Sequence, residues 1–275
     1  MTWRMNISHK TTYQYEAPVV ASFNEVRMTP ASSLHQYLIH HELVVSPHAR
    51  IQRFQDYWGT NVETFDLQTP HETLEVTSEN LVEMSMPLPG DRSLSWKELS
   101  SDKVADEFYE YLQLTNLVDP IADNFEHPKY PTPHDLVQDI NEYVNQAITY
   151  LPGATNVHTS ASEAWARESG VCQDFTHITI SMLRTAGIPA RYISGYLFDS
   201  DNPIGMSSVG ESHSWVEAWV GEWMPIDPTN RRSVDQSHVV VAKGRDYSDV
   251  SPFIGIYSGG ASRETSVEVT ITRKS

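Results

Sequence analysis

Residues 168–197 read ESGVCQDFTHITISMLRTAGIPARYISGYL and hold Cys172, the single cysteine among 275 residues. From the cysteine onward, Phe175, Ile178, Met182, Leu183 and Ala186 recur at helical spacing, and Gly187 with Pro189 stops the run. The stretch from Ala190 then takes on the β-branched and aromatic composition of a strand. The sequence thus predicts a helix that opens on a thiol and leads into a strand. A free cysteine is commonly a small buried hydrophobe. This one stands in the first turn of its helix, after Gly170, which permits a sharp entry. The helix dipole and unpaired N–H groups there favour a thiolate. The same N–H groups can hold the oxyanion of a tetrahedral intermediate.

A nucleophilic thiol needs a base, and twelve histidines are available. His213 is the candidate, because it opens the strand-like SHSWVEAWV (212–220) after the loop-like DSDNPIGMSSVGES (199–212). A residue at a strand start beside a loop is within reach of a helix N-terminus. Asp227 closes the next strand, EWMPIDPT (222–229), where Pro228 imposes extended geometry. The connection VGEW (220–223) is short, so the start of one strand and the end of its neighbour lie side by side. Asp227 is therefore the expected group to hold the imidazole tautomer. Glu217 shares a strand face with His213 and is the alternative.

Working outward, a helix is expected over SSDKVADEFYEYLQLTNLV (100–118), with Val104, Phe108, Tyr111 and Leu112 on one face. A second starts at Thr132-Pro133 and lines up Leu136, Ile140, Val144 and Ala147. A third spans about Ala161 to Glu168, with Ser160 and Glu163 spaced as a capping box and Gly170 ending it. HPKYPTP (127–133) reads as a connector. The first hundred residues are β-rich, including a hairpin around Gly59-Thr60-Asn61, and PLPGDRS (87–93) breaks the pattern and marks a boundary near residues 90–98. The tail SVEVTITRKS alternates as a last strand. The expected architecture is α+β, with a small antiparallel β-sandwich-like domain over 1–98 and a catalytic domain over 99–275.

Composition narrows the partners. With 19 basic and 36 acidic residues the chain carries a formal charge of −17, which repels nucleic acid and anionic membrane surfaces. No apolar run approaches a membrane span, the first residues lack a secretory pattern, and one cysteine forms no internal disulfide. A cytoplasmic setting is the expectation. His40-His41 is not spaced for a shared metal on a strand, and no HExxH or CxxC pattern occurs, so neither a catalytic metal nor a cofactor is expected. Asp174 and His177 are expected to cap or pack, Trp215, Trp219 and Trp223 to fill the core, and Tyr150 to pack there too, with lining the pocket as its alternative.

The set SGVCQDFTH, RTAGIPARYISGYL, SHSWVEAWV and WMPIDPTN resembles the core of the transglutaminase-like superfamily, in its bacterial cysteine-protease type. NEVRMTP, LVVSP and DYWGTNVETFDL resemble the β-rich region that often precedes such cores. The resemblance covers most of the chain. It implies a papain-like fold, Cys172 as nucleophile, His213 as general base, Asp227 as its orienting residue, and a peptide or protein substrate. Thr176 stands where the pattern usually has alanine, a departure expected only to adjust packing. Hydrolysis through a thioester, transfer of a glutamine acyl group to an amine, and a non-catalytic module that keeps the fold all remain compatible with these residues, with hydrolysis favoured.

Overall fold

The computed structural model describes residues 2–86, 93–122, 130–199, 202–210 and 212–275. Residues 90–92 of the expected boundary near 90–98, and 127–129 of the expected connector at 127–133, lie outside them. The chain opens with the 25-residue β1 (Thr2–Val26), in which every second residue from Trp3 to Thr11 is buried. β2 (Gln36–Ser46), β3 (Gln52–Gln55), β4 (Asn61–Leu67) and β5 (His71–Ser85) follow. β3 and β4 form the expected hairpin, with Gln55 opposite Asn61.

Three short helices come next: α1 (Trp96–Leu99), α2 (Asp102–Glu107) and α3 (Tyr109–Leu112). The single helix expected over 100–118 is broken at Phe108, whose φ of −114° and ψ of 26° leave the helical basin. Its buried ring lies between Trp219 and Trp223, at centroid distances of 4.5 and 5.4 Å. That packing overrides the helical periodicity. α4 (Pro133–Ala147) begins at Thr132, whose hydroxyl and Asp135 form a reciprocal cap, and buries Leu136, Val137, Ile140 and Val144. β6 (Thr149–Tyr150), α5 (Ala161–Arg167) and β7 (Ser169–Gly170) lead to α6 (Cys172–Thr185).

α5 carries the expected Ser160/Glu163 box but ends at Glu168, in the left-handed region with φ 52°, rather than at Gly170. Gly170 serves another purpose. A Cβ there would come within 2.5 Å of the Asp174 carboxylate, so its absence lets the chain turn tightly into α6.

α6 is buried on nearly all sides and packs on α4, α5 and a four-stranded sheet. That sheet comes from β8 (Ala190–Leu197), β10 (Ser212–Trp219), β11 (Trp223–Ile226) and β12 (His238–Gly244), in the order β11-β10-β8-β12, all antiparallel. β9 (Ser207–Gly210) lies before β10; α7 (Tyr247–Val250), β13 (Phe253–Gly259) and β14 (Ser262–Arg273) complete the chain.

β9, β13 and β14 do not stay with this domain. They join the N-terminal strands in one eight-stranded sheet. The first half of β1 pairs with β5 on one edge and β14 on the other; its second half pairs with β4 and β13. Three strands thus cross the line of the expected division into 1–98 and 99–275. β1 has two rows of backbone donors and acceptors to satisfy, and the chain's own end supplies the second row. The hydrophobic cores follow the same crossing. Met5, Ile7, Val269 and Ile271 belong to the core around α6, while Val19, Val26, Leu74 and Val76 form a separate one farther along the sheet.

Candidate active site

Cys172 occupies the first position of α6, with Val171 before it in extended geometry. Asp174 Oδ2 accepts the Val171 N–H at 2.7 Å and the Thr155 hydroxyl at 2.6 Å. This is the capping role expected of it. Burial pushes the Asp174 carboxyl above its ordinary value, and these hydrogen bonds offset only part of that rise. His177 faces away from the thiol, fully buried, and accepts the Tyr247 N–H at 3.2 Å.

His213, near the start of β10, lies opposite Gly195 of β8. Its Nε2 bonds Asp227 Oδ2 at 2.9 Å. The β10–β11 register ends at Val216 opposite Ile226, so one further step sets Asp227 opposite Trp215 and diagonal to His213. The expected strand-end meeting is therefore present, offset by two residues. The alternative, Glu217, bonds Arg191 Nε at 2.6 Å instead.

The thiol and the imidazole line the same cleft, and each favours the charged form of the other. With Nε2 on the carboxylate, Nδ1 is the ring nitrogen left for sulfur. Burial opposes charge on each member of this line, and the neighbours outweigh it. Burial would raise the Cys172 pKa, but hydrogen bonds from His213 and Ser214 and the His213 charge bring it below the ordinary thiol value. Burial would lower that of His213, but its bonds to Asp227 and Cys172 push it up to about 9. Burial would raise that of Asp227, yet His213, His238 and Asn230 hold it well below the carboxylate range. Both shifts favour the charged forms, thiolate and imidazolium.

Sequence reasoning missed several supports of this line. The Thr229 and Asn230 N–H groups bond Asp227 Oδ1 at 3.0 and 3.2 Å, and Asn230 Nδ2 bonds Oδ2 at 3.0 Å. Asn230 in PIDPTN was the available signal, as an amide donor three residues past the acid. Thr176, expected only to adjust packing, donates to the Cys172 carbonyl at 2.8 Å and touches Ser214 Oγ at 3.1 Å. Trp215, in the core as expected, stacks on His213 at 6.0 Å and stands edge-on to His238 at 5.3 Å. Gly195 makes this possible, because a Cβ there would fall 2.8 Å from the Trp215 ring.

Cys172 and His213 open into a cleft of about 390 Å³, shared with Tyr150, Leu197, Ser212, Thr229 and Asn230. Tyr150 is half exposed on its wall, where core packing was expected. A larger cavity of about 630 Å³, walled in part by Gln36, Trp215, Glu217, Trp223 and His238, does not contain the thiol; the chemistry locates the site in the smaller cleft. Among the described residues, His213, Asp227 and His238 bring potential metal-ligand atoms within 4.8 Å of one another. Both Nε2 atoms point at the same carboxylate oxygen, which suits a hydrogen-bonded chain better than a cation cage. No helix among the described residues is long and apolar enough to cross a membrane.

Two family models match the chain: the bacterial transglutaminase-like N-terminal region over residues 5–83, and the transglutaminase-like superfamily over 119–228. An uncharacterized protein of Mycobacterium leprae is 42% identical over 98% of this chain and 99% of its own length. A protein-glutamine gamma-glutamyltransferase of Pseudomonas aeruginosa is 35% identical over 88 residues, which is 30% of this chain and 13% of that enzyme. The crystal structure of a "putative cysteine protease" from Cytophaga hutchinsonii superposes with a TM-score of 0.77 at 23% identity, over 98% of this chain and 90% of the other, and shares the fold.

Proposed function

The chain belongs to the transglutaminase-like superfamily, and from that premise we propose that it is a thiol acyl-transfer enzyme, a cysteine peptidase or amidohydrolase acting through a Cys172–His213–Asp227 triad. The observation that carries this reading is a helix-start thiol sharing one cleft with His213, whose Nε2 bonds the buried Asp227 carboxylate.

The Cys172 thiolate attacks an amide carbonyl carbon. A C–S bond forms and the carbonyl π pair moves to oxygen. The N–H groups of Asp174 and Phe175 are taken by the Val171 carbonyl, whereas those of Cys172 and Gln173 precede any intrahelical acceptor and receive the oxyanion. Collapse breaks the C–N bond as His213 Nδ1 gives its proton to the departing amine. Neutral His213 then takes a proton from water, whose oxygen attacks the thioester carbon. Sulfur leaves with the bonding pair and a carboxylic acid is released. Asp227 keeps the ring in one tautomer throughout. The charge of −17 favours neutral or basic peptides as substrates.

An amine that replaces water would complete transglutamination with the same residues. The similarity to a gamma-glutamyltransferase over 88 residues supports that second reading; the cleft's half-exposed wall at Tyr150, which admits water, supports hydrolysis. Iodoacetamide labelling at pH 6 separates both from a non-catalytic module. An activated Cys172 reacts faster than free cysteine there, and labelling at the free-cysteine rate rejects the enzyme. Peptide and glutamine-amide libraries, assayed with and without an amine acceptor, then separate the two reactions.

A further inference from the structure

Behind the triad, on β12, a second histidine reaches the same carboxylate. His238 Nε2 lies 3.4 Å from Asp227 Oδ2, alongside the bond from His213 to that oxygen. Its other nitrogen, Nδ1, accepts the Asp235 backbone N–H at 3.3 Å. An accepting Nδ1 places the proton on Nε2, so the ring donates to Asp227. The ring is fully buried, against the edge of Trp215. The loop that aims it is itself tied down: Ser237 donates to Asp235 Oδ1 at 2.5 Å and accepts from Arg232 at 2.9 Å.

We propose that His238 is a positioning residue for the acyl-transfer reaction: it holds Asp227 from the side opposite the cleft and thereby sets the orientation of His213. The inference rests on the triad proposed above and adds a fourth member, Cys172–His213–Asp227–His238. The charged or titratable groups that face His238 are Asp227, His213, Asp235 and, through Ser237, Arg232. A core histidine placed only for packing would need no donor aimed at a carboxylate already served by three N–H groups and an imidazole.

The test compares His238→Leu with His238→Gln in the full chain. Leucine removes the donor; the glutamine amide can still donate. In His238→Leu, kcat falls about tenfold, the scale of one hydrogen bond to a charged group, with KM unchanged. Its acidic limb moves to higher pH, because a less firmly held His213 imidazolium stabilises the Cys172 thiolate less. His238→Gln recovers most of both. A substrate-free readout runs beside these, namely solvent exchange of the His213 Nε2 proton followed by NMR, which speeds up in His238→Leu when Asp227 is no longer held. Should leucine prevent folding, His238→Asn, polar but too short to reach, takes its place. A folded variant with unchanged kcat, pH profile and proton exchange overturns the assignment. Failure of wild-type Cys172 to label at pH 6 would instead defeat the enzyme reading, and the exchange measurement would still judge His238.

Discussion

His213 with Asp227, and His41 with Glu63, are the same chemical pair in two settings. Each joins an imidazole Nε2 to a buried carboxylate, at 2.9 Å in the cleft and 2.8 Å in the N-terminal sheet. The difference is what meets the second ring nitrogen. In His41 it is taken by Asn80 Oδ1 at 2.7 Å, while Arg53 and Thr29 occupy the remaining capacity of Glu63. That cluster is closed: every partner is internal, and its work is to join β2, β4 and β5. His213 instead shares an open cleft with the Cys172 thiol, which favours its charged form. A buried imidazole–carboxylate pair becomes a catalytic base when one ring position is left to a nucleophile and a cleft.

The comparison can be broken most severely at the thiol. Cys172→Ala abolishes turnover and iodoacetamide labelling with little change in melting temperature; retained turnover would remove the nucleophile. His213→Ala comes next, with a loss of about 10⁴-fold in kcat/KM. His41→Ala, its matched control, leaves kcat/KM in place and lowers stability by about 1–3 kcal/mol, the usual result of leaving a buried polar partner unsatisfied. Equal rate losses in the two would erase the distinction. Asp227→Asn falls between wild type and His213→Ala, since the base survives but its orientation weakens.

Titration sharpens the contrast further. Cys172 is ionised below the ordinary thiol value, and His213 stays protonated up to about 9. The reactive ion pair therefore persists between these limits. The rate declines on the acid side as the thiolate gains a proton, and on the alkaline side near 9 as His213 loses the proton it must deliver. Its raised pKa contributes stability that is present below 6.5 and is lost as pH rises through about 9. Glu63 behaves oppositely. Burial would raise its pKa, but His41, Arg53 and Thr29 lower it on balance, so its stabilisation is present at neutral pH and is lost on acidification. Acid melting curves of Glu63→Gln against wild type measure that term, and they leave the alkaline limb of activity unmoved. The smallest effect belongs to Glu217→Gln, expected to change kcat/KM by less than about threefold, because Glu217 is paired with Arg191 and not with His213.

Much of the site was legible along the chain. Glycine, thiol and apolar stripe placed Cys172 at a helix start, and a short hairpin with Pro228 placed Asp227 near His213. These are local signals: spacing, turn chemistry and caps act within a few residues. The break at Phe108 was hidden because helical periodicity says nothing of the two tryptophans, over a hundred residues on, that receive its ring. The end of α5 was assigned to Gly170 because glycine is the usual left-handed cap, whereas Glu168 adopts that geometry and Gly170 makes room for Asp174.

The amino-acid order by itself determined which groups could do chemistry and which elements would carry them. Tertiary structure decided what each group touches: His238 behind Asp227, Thr176 bridging the Cys172 carbonyl and Ser214, and the chain's last strands laid beside its first. Those contacts join residues distant in sequence, and backbone ladders and buried hydrogen bonds choose their partners only after the sheets have closed around a common core.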